Sequence, residues 1–219
     1  MAIELNKKTG INLKKGSTIS LEKAGKQLEY VCLGLNWGAI ERREQQSFLG
    51  IFKWEDRKTW SVDLDASIST FDANKNYLET VYYRKLESDD GSIIHSGDDI
   101  SGDRDGDDDR DNEIIDLDLT KVDEKVETIV LYLNSFKGQD FAEVPYARVR
   151  VFEGMRHRVD NVLATFNLAS DPQFAGFVSM VMGKLTRKPN GAWSFEAIGD
   201  PIPAKNIEET IQHVREHYL

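Results

Sequence analysis

The amino-acid sequence predicts a mainly β fold, a β-sandwich of about ten short strands with a C-terminal helix packed on it. Three observations predict this fold class. Most apolar residues alternate with polar ones or form short runs, clusters of Gly, Asp and Asn separate these runs, and only the last segment has a helical period. Sandwiches of about 200–250 residues commonly form one domain. We therefore expect residues 1–219 to form a single domain, with its core at roughly 10–200 and its helix at 205–218.

The N-terminal half contains six segments with a strand pattern. Alternation is strictest from Trp60 to Asp65, whereas Leu28 to Trp37 is an apolar run typical of a buried strand. The polar segment from Gly38 to Asp56 has neither pattern, so we interpret it as a loop or insertion. The strands predicted in this half are 11–13, 18–21, 28–37, 60–71, 80–86 and 93–95.

The C-terminal half continues the strand pattern and ends in a helix. Lys188 to Gly191 has the composition of a tight hairpin turn between the last two strands. Asn206 is the expected N-cap of the final helix, whose stripe at Ile207, Ile211, Val214 and Tyr218 should pack on the sandwich. The strands predicted in this half are 114–119, 128–136, 147–152, 177–185 and 193–198.

Composition and charge exclude several classes of protein. A net charge of −10 argues against a general nucleic-acid binder, because neutralising phosphates requires clustered Lys and Arg. No apolar run approaches the ~20 residues of a membrane span, and Met1–Lys15 lacks the apolar middle of a secretory signal. The single cysteine, Cys32, lies in an apolar run, which indicates a buried, unreactive thiol. We therefore expect a cytoplasmic protein.

Negative charge is concentrated in the acidic loop, defined as His95 to Glu113, and in the strand that follows it. Residues 98–118 contain eleven acids and only two arginines, and so carry −9 of the net charge of −10. Glycines within the loop let its backbone turn back and bring the carboxylates together. Two carboxylates ~7 Å apart repel by roughly 2 kcal/mol at an effective dielectric constant of ~20. Either the loop stays open and solvated, or a hard cation occupies it.

Three features favour a bound cation over a solvated loop. Glycine alternates with aspartate, predicted strands hold both ends of the loop, and Asp63 and Asp65 project from one face of their strand toward possible ligand positions. Ligand sets of oxygen alone select calcium or magnesium, and many carboxylates in a flexible loop suit the six to eight ligands of calcium. This number of oxygens is compatible with one ion or with two.

Other motifs carry weaker signals. The acids from Asp107 to Asp118 approach the spacing of an EF-hand loop, but the flanking helices of that motif are missing. The segment from His213 to His217 matches the HxxEH pattern of some zinc proteases, and we interpret it as a histidine pair on the surface of the helix. His95, beside the acidic loop, is either a residue that supports the metal ligands or an ordinary strand-end histidine.

A set of segments occurs in the order of a known family: Ile11–Gly16, Leu33–Trp37, Val62–Ser67, Asp90–Asp99, Gly102–Asp108, Ala147–Val151, Gly183–Leu185 and Trp193–Phe195. Together, over roughly residues 10–200, they resemble the TerD family of tellurium-resistance and stress-response proteins. The Asp63–Ser67 motif and the Asp-Gly loop are the specific parts of the resemblance.

The resemblance implies a cytoplasmic β-sandwich that binds calcium, usually two ions, and has no established catalytic activity. Where the family usually has Asn, this chain has Asp99, and either Asp109 or Glu113 closes the metal loop. The metal ligands implied are Asp63, Asp65, Asp98, Asp99, Asp103, Asp105, Asp107, Asp108 and Asp109.

The leading hypothesis is therefore a calcium-binding, non-enzymatic stress-response protein of the tellurite or chemical-stress resistance type. Calcium would order the acidic loop and shape a surface for other stress-response proteins, with no role for nucleic acid or a membrane span. Two alternatives use the same acids: a metal-dependent enzyme of phosphoryl or glycosyl chemistry, and a protein that binds a small anionic ligand through the metal. Direct tellurite reduction is disfavoured, because one buried thiol cannot perform it.

Overall fold

A computed structural model describes residues 16–23, 26–48, 52–169 and 171–219, and the fold in these ranges is mainly β with one C-terminal helix. The prediction of the fold class is confirmed. The strands are β1 (Thr18–Ser20), β2 (Glu22–Lys23), β3 (Lys26–Gln27), β4 (Tyr30–Trp37), β5 (Ile40–Phe48), β6 (Phe52–Trp60), β7 (Leu64–Phe71), β8 (Tyr77–Val81), β9 (Ile93–His95), β10 (Glu113–Asp118), β11 (Thr128–Ser135), β12 (Ala147–Met155), β13 (Arg158–Asn167), β14 (Ser179–Arg187) and β15 (Trp193–Pro201). Helix α1 is Ile207–His217, and short 3-10 helices lie at Phe141–Glu143 and Pro172–Phe174.

Two antiparallel sheets form the sandwich. The six-stranded sheet has the order β1-β15-β14-β11-β7-β8, and the five-stranded sheet has the order β13-β12-β4-β10-β9. Leu33 and Leu35 of β4 and Leu131 and Leu133 of β11 belong to the same buried core, because every second side chain of each strand faces the opposite sheet. Burying each side chain of this size stabilises the fold by about 1.5–3 kcal/mol.

Helix α1 covers the outer face of the six-stranded sheet. The Asn206 side chain accepts a hydrogen bond from the Glu209 N–H at 2.9 Å, so it caps the helix as predicted. Val214 is buried in a second apolar cluster with Val130 and Tyr132 of β11, and the rest of the predicted stripe packs against this cluster. The prediction that the helix packs on the sandwich is therefore confirmed.

The interpretation of residues 38–56 as a loop was wrong. β5 and β6 pair in register from Ile40 with Trp60 to Phe48 with Phe52, and this hairpin joins neither large sheet within the described ranges. Outside a large sheet, no buried face requires apolar residues at alternate positions, so the hairpin lacks the usual signal. Charged residues throughout both strands made the strand pattern still harder to recognise.

Other differences concern strands. The strand predicted at 60–71 begins only at Leu64, because Trp60 ends β6 and residues 61–63 connect the two strands. β13 was not predicted; it lies at an edge of its sheet, and most of its residues are only half-buried. The strand expected at 80–86 lies earlier, at Tyr77–Val81, because Tyr82 and Lys85 instead close a tight turn through two backbone hydrogen bonds of 3.0 and 2.9 Å. The strand predicted at 11–13 lies outside the described residues.

The fold brings the start of β7 and the acidic loop to the same end of the sandwich. The loop connects β9 to β10, and β10 lies beside β4 in the five-stranded sheet. Midway along the loop, the Asp103 N–H donates to the Trp37 carbonyl at 2.9 Å, and the Asp103 carbonyl accepts from the Ala39 N–H at 2.8 Å. The loop is therefore attached to the sheet at its middle as well as at both ends. No helix in the described part of the chain is long and apolar enough to span a bilayer.

Candidate metal centre

Trp37 connects the acidic loop to the segment that enters β7. Its indole N–H donates to the Val62 carbonyl at 2.9 Å, immediately before Asp63. On its other side the ring lies against Gly102, where an added Cβ would come within 2.6 Å of the indole and where φ is +66°. Only glycine fits this contact and this backbone conformation. The two groups of acids described next are thus positioned by one buried tryptophan.

The first group is the inner cluster: Asp63, Asp65 and Asp98, whose carboxylate oxygens can lie within 4.8 Å of one another. Asp63 and Asp65 are buried, and Asp98 is exposed. The sequence predicted that Asp63 and Asp65 share one face. Because Leu64 and Ala66 belong to the core, that face is the outer face of the six-stranded sheet.

The inner cluster carries an electrostatic cost. The pKa of Asp65 is raised to about 8. Burial is the largest cause, and the negative charges of Glu113, Asp63 and Asp98 add to it. Burial also raises the pKa of Asp63, although Lys137 opposes it with an ammonium group 3.4 Å from the carboxylate. No described donor makes a hydrogen bond to Asp65, so a cation is the natural partner for this group.

The second group is the outer cluster: Asp103, Asp107 and Asp108, whose oxygens can also lie within 4.8 Å of one another. Asp107 and Asp108 are exposed, and each folds back to accept a hydrogen bond from the backbone N–H two residues later, at 2.8 and 2.9 Å. These local turns use one oxygen of each carboxylate, Oδ1. The outer cluster thus consists mainly of exposed side chains on the loop itself.

Asp103 is the fixed member of the outer cluster. Its Oδ2 accepts hydrogen bonds from the Tyr146 hydroxyl at 2.8 Å and from Asn36 Nδ2 at 3.2 Å, and its Oδ1 accepts from Asn112 Nδ2 at 2.9 Å. Burial raises the pKa of Tyr146, and the hydrogen bond to Asp103 adds to the effect. The phenol therefore stays protonated and donates to the carboxylate.

Glu113 holds the loop against β7 and belongs to neither cluster. It is fully buried; its Oε2 accepts from the Ala66 N–H and its Oε1 from the Asp99 N–H, both at 3.1 Å. His95 Nε2 lies 3.6 Å from Glu113 Oε2, and both side chains are completely buried. Burial raises the pKa of Glu113, whereas His95 and the two N–H donors oppose that shift. The sequence suggested Glu113 only as an alternative ligand and His95 only as a possible support.

Three predicted ligands lie outside both clusters. Asp99 accepts hydrogen bonds from the Ser101 N–H at 2.9 Å and the Gly102 N–H at 3.1 Å. Burial alone would raise the pKa of Asp99, but these hydrogen bonds outweigh it and the pKa is lowered. Asp109 has a φ of +61° and lies 4.0 Å from Arg148, and Asp105 is exposed.

An ion pair that the sequence did not reveal fixes the end of the loop. Asp111 is almost completely buried, with its carboxylate 2.6 Å from Arg150 of β12. Gly34 of β4 leaves the space, since a Cβ there would lie 2.2 Å from Asp111 Oδ2. Burial raises the pKa of Asp111, and Arg150 opposes the shift. Two features of the sequence could have indicated this ion pair: Arg150 alternates with apolar residues in β12, and Gly34 interrupts the apolar residues of β4.

The remaining sequence predictions at single residues agree with the structure. Cys32 is buried, and burial raises the pKa of its thiol, with Asp116 adding to the shift. His213 and His217 stack on helix α1 with ring centroids 4.2 Å apart, and His217 is exposed. Neither residue belongs to a group of metal-ligating side chains found in the described ranges.

Both clusters could hold a metal ion. Their donors are carboxylate oxygens without sulfur or imidazole, which suits a hard cation. Two buried carboxylates in the inner cluster also need a counter-charge that Lys137 alone does not supply.

Comparisons with known proteins agree with this architecture. The family model of the TerD domain matches residues 9–213. The tellurium resistance protein TerZ of Serratia marcescens is 32% identical over 199 residues, which cover 91% of this chain and 94% of that protein. Stress response protein SCP2 of Bacillus subtilis (strain 168) is 28% identical over 208 residues, covering 92% and 97% of the two chains.

A solved structure shows the same fold. It is the crystal structure of a homologue of telluride resistance protein (TerD) from Streptomyces coelicolor A3(2), which matches with a TM-score of 0.61 and 21% identity. The match covers 81% of this chain and 92% of that chain. The family resemblance predicted from the motifs is confirmed.

Proposed function

The chain belongs to the TerD family, and from that premise we propose that it is a calcium-binding stress-response protein without catalytic activity. The relatives are named as tellurium-resistance and stress-response proteins, which supports a role in tellurite or chemical stress. One buried cysteine supports a cytoplasmic location, and the acidic charge argues against nucleic-acid partners. We also propose that the chain forms a single domain, since the family model extends over nearly all of it.

The observation that carries the proposal is the convergence of carboxylates in two sets of three, one of which joins distant parts of the chain. Asp63 and Asp65 lie more than thirty positions before Asp98, yet their oxygens can lie within 4.8 Å of its carboxylate. Each cluster would hold one ion, and calcium suits them better than magnesium because it accepts more ligands and a less regular geometry. The ligands proposed are Asp63, Asp65 and Asp98 for one ion and Asp103, Asp107 and Asp108 for the other.

Calcium would act through the shape of the loop. When bound, it supplies positive charge that offsets the repulsion among the acids and makes a compact loop favourable. Beside the inner cluster, Lys137 donates to the Ile100 carbonyl at 3.1 Å, and the Ile100 and Phe136 side chains are more than half exposed. An ordered loop would present these two apolar side chains to a partner, which we propose is another stress-response protein.

Calorimetric titration of the demetallated protein with calcium and with magnesium tests the proposal. We expect two calcium ions to bind per chain and calcium to be preferred, because neither cluster imposes the octahedral geometry that magnesium requires. Absence of calcium binding, or equal affinity for magnesium, would contradict the assignment.

Matched variants in the same loop test the ligand set. The double variant Asp107→Asn/Asp108→Asn should lose the outer ion and should lower the melting temperature only when calcium is present. Asp105→Asn and Asp109→Asn are the controls, since these residues lie in the loop but outside both clusters. Asn also tolerates the positive φ of residue 109. Controls that bind calcium as weakly as the double variant would add Asp105 and Asp109 to the ligand set.

A further inference from the structure

The hairpin formed by β5 and β6 lies outside both large sheets. Its base is attached to the sandwich, where the Ala39 N–H donates to the Asp103 carbonyl at 2.8 Å and the Ser61 carbonyl accepts from Gln139 Nε2 at 3.2 Å. From this base, nine residues of each strand pair with the other strand and with no further strand of the described ranges. A two-stranded hairpin is marginally stable at best on its own in water, which favours an additional packing partner for this one.

The register divides the hairpin into two faces of different composition. Because successive residues of a strand alternate between faces, the even-numbered residues of β5 and β6 share one face, which we call the hairpin face. It contains every apolar residue of the two strands: Ile40, Phe48, Phe52, Trp54 and Trp60. At its base Ile40 packs against the main core, and Trp60 opposite is 55% exposed. The hairpin face therefore begins at the core and opens to solvent.

The charged residues of the hairpin face form two rows of opposite sign. The register places Arg42 opposite Lys58, which we call the basic row, and Glu44 opposite Asp56, which we call the acidic row. Like charges directly opposite each other destabilise a strand pair, and the neighbouring row of opposite sign lies about 7 Å away along the strands. A second surface that carries the same two rows in reverse order would set an opposite charge against each row.

A second copy of this chain carries that surface. We propose that the chain forms a dimer in which two hairpin faces pack together around a two-fold axis at the level of residues 43 and 57. This axis reverses the order of the rows, so the basic row of each copy lies on the acidic row of the other. The pair at the base, Ile40 with Trp60, then lies on the row that contains Trp54. The interface is self-complementary and closes at two copies, as a two-fold contact requires.

The size of the interface predicts a weak dimer. Each copy contributes the ten residues of its hairpin face, fewer than the about 20–30 residues a side of a standard interface. We therefore expect a dissociation constant in the micromolar range, on the order of 10 μM. None of the ten residues belongs to the inner or the outer cluster, so the dimer is independent of the proposed calcium sites.

Sedimentation velocity of the full chain between about 1 and 500 μM tests the proposal, and we expect a monomer at the low end and a dimer at the high end. Two variants reverse one row each: Arg42→Glu/Lys58→Glu and Glu44→Lys/Asp56→Lys. Either variant alone carries two rows of the same sign, so its self-association should weaken about tenfold or more. An equimolar mixture of the two should recover the dimer, because every row then meets the opposite charge in the other copy.

Two further variants separate the hairpin face from the rest of the hairpin. Arg43→Glu/Arg57→Glu is the matched control, because it reverses the same number of charges in a directly opposite pair on the other face and should leave the dimer unchanged. Trp60→Ser should weaken the dimer about tenfold or more, since tryptophans at the centre of interfaces contribute strongly to affinity. Trp60 is more than half exposed, so this variant should keep the fold of the monomer.

Each outcome bears on the proposal. A wild-type chain that stays monomeric at every concentration overturns it, and this is the result expected if another segment or a different protein covers the hairpin face. A dimer that survives both row reversals lies elsewhere on the molecule and also overturns it. Loss of the dimer in the control, or no recovery in the mixture, overturns the arrangement of the rows. Recovery in the mixture supports the proposal and shows in addition that both reversed chains are folded.

Discussion

The inner and outer clusters each bring three carboxylates together, but the structure holds them in opposite ways. The inner cluster takes two of its acids from the start of β7, where they are buried and fixed by the backbone of the sheet. The outer cluster takes two of its acids from the exposed part of the loop, where each is held by a local turn and Asp108 also lies 4.0 Å from Arg110. Asp103, bonded to three side chains, connects the outer cluster to the five-stranded sheet.

Because the two clusters are held differently, a bound ion should have a different effect at each. At the inner cluster the geometry is present before the ion arrives, and the metal-free protein carries the electrostatic cost of the buried acids. At the outer cluster water screens the charges, so the cost is small and the ion mainly supplies order. One calcium ion should therefore act mostly on stability and the other mostly on the shape of the loop.

The largest effect is expected at the ion pair that anchors the outer cluster. Arg150→Ala leaves Asp111 buried without a counter-charge, which should lower the free energy of unfolding of the metal-free protein by about 3 kcal/mol. Arg148→Ala is the matched control on the same strand, because Arg148 lies 4.0 Å from the exposed Asp109. It should cost less than about 1 kcal/mol. Urea unfolding of both variants measures the difference, and equal losses would show that Asp111 does not depend on Arg150.

The next prediction concerns the stability of the metal-free protein. It should rise when an acid of the inner cluster is replaced and stay nearly unchanged when an acid of the outer cluster is replaced. Asp65→Asn should abolish the inner calcium site yet stabilise the metal-free protein by about 1 kcal/mol, because it removes a buried acid whose pKa is raised. Asp107→Asn, at the outer cluster, should leave the metal-free stability nearly unchanged. Denaturant unfolding in a chelator gives both numbers. A metal-free protein destabilised by Asp65→Asn would mean that the carboxylate has a stabilising partner.

The stability of the metal-free protein should also depend on pH, and the inner cluster should be the cause. In the metal-free folded chain the pKa of Asp65 is raised from 3.8 to about 8, so between these values the folded state binds a proton that the unfolded state releases. Stability should then decrease as pH rises through this window, and the decrease should be smaller in Asp65→Asn. Unfolding measured at several pH values in a chelator, with Asp107→Asn as the control, tests this. Identical slopes for the two variants would contradict it.

Calcium should also change the local order of the backbone differently at the two clusters. Calcium should slow amide hydrogen exchange in the outer loop at residues 106–110, because an ion there fixes the local turns. The amides of β7 from Leu64 to Ala66 should already be protected without calcium, since this stretch pairs with β11 and the Ala66 N–H donates to the buried Glu113. Exchange measured by mass spectrometry with and without calcium compares the two segments. Equal slowing in both would mean that calcium orders the whole end of the sandwich.

The elements that the sequence predicted well share one physical property. β4, β7, β10, β11 and β15 each bury one face or both in the sandwich, and burial imposes the alternation or the apolar run that made them visible. β5, β6 and β13 were missed because they lie outside the large sheets or at an edge, where that requirement is weak. Helix α1 was predicted nearly to its ends because both its cap and its stripe are local features.

In the candidate metal centre, too, the sequence predicted some residues and missed others. A period of two placed Asp63 and Asp65 on one face, and the density of acids identified the loop, so members of both clusters were predicted. The roles of Glu113, Asp111 and Asn112 depend on contacts with β7, β12 and Trp37, which are distant in sequence. A carboxylate that accepts hydrogen bonds in the fold looks the same in a sequence as one that faces an ion.

The smallest effect is expected at Asp99, which tests that distinction directly. Its Oδ1 accepts from the Ser101 and Gly102 N–H groups, a task that the amide oxygen of Asn performs equally well. Asp99→Asn should therefore change the free energy of unfolding by no more than about 0.5 kcal/mol and leave both calcium affinities unchanged. Asp98→Asn is the neighbouring control and should weaken the inner site, since Asp98 belongs to that cluster. If calorimetry shows equal losses of calcium affinity in both variants, then Asp99 must turn away from its backbone hydrogen bonds to reach the ion, and the loop of the calcium-bound protein differs from the one described.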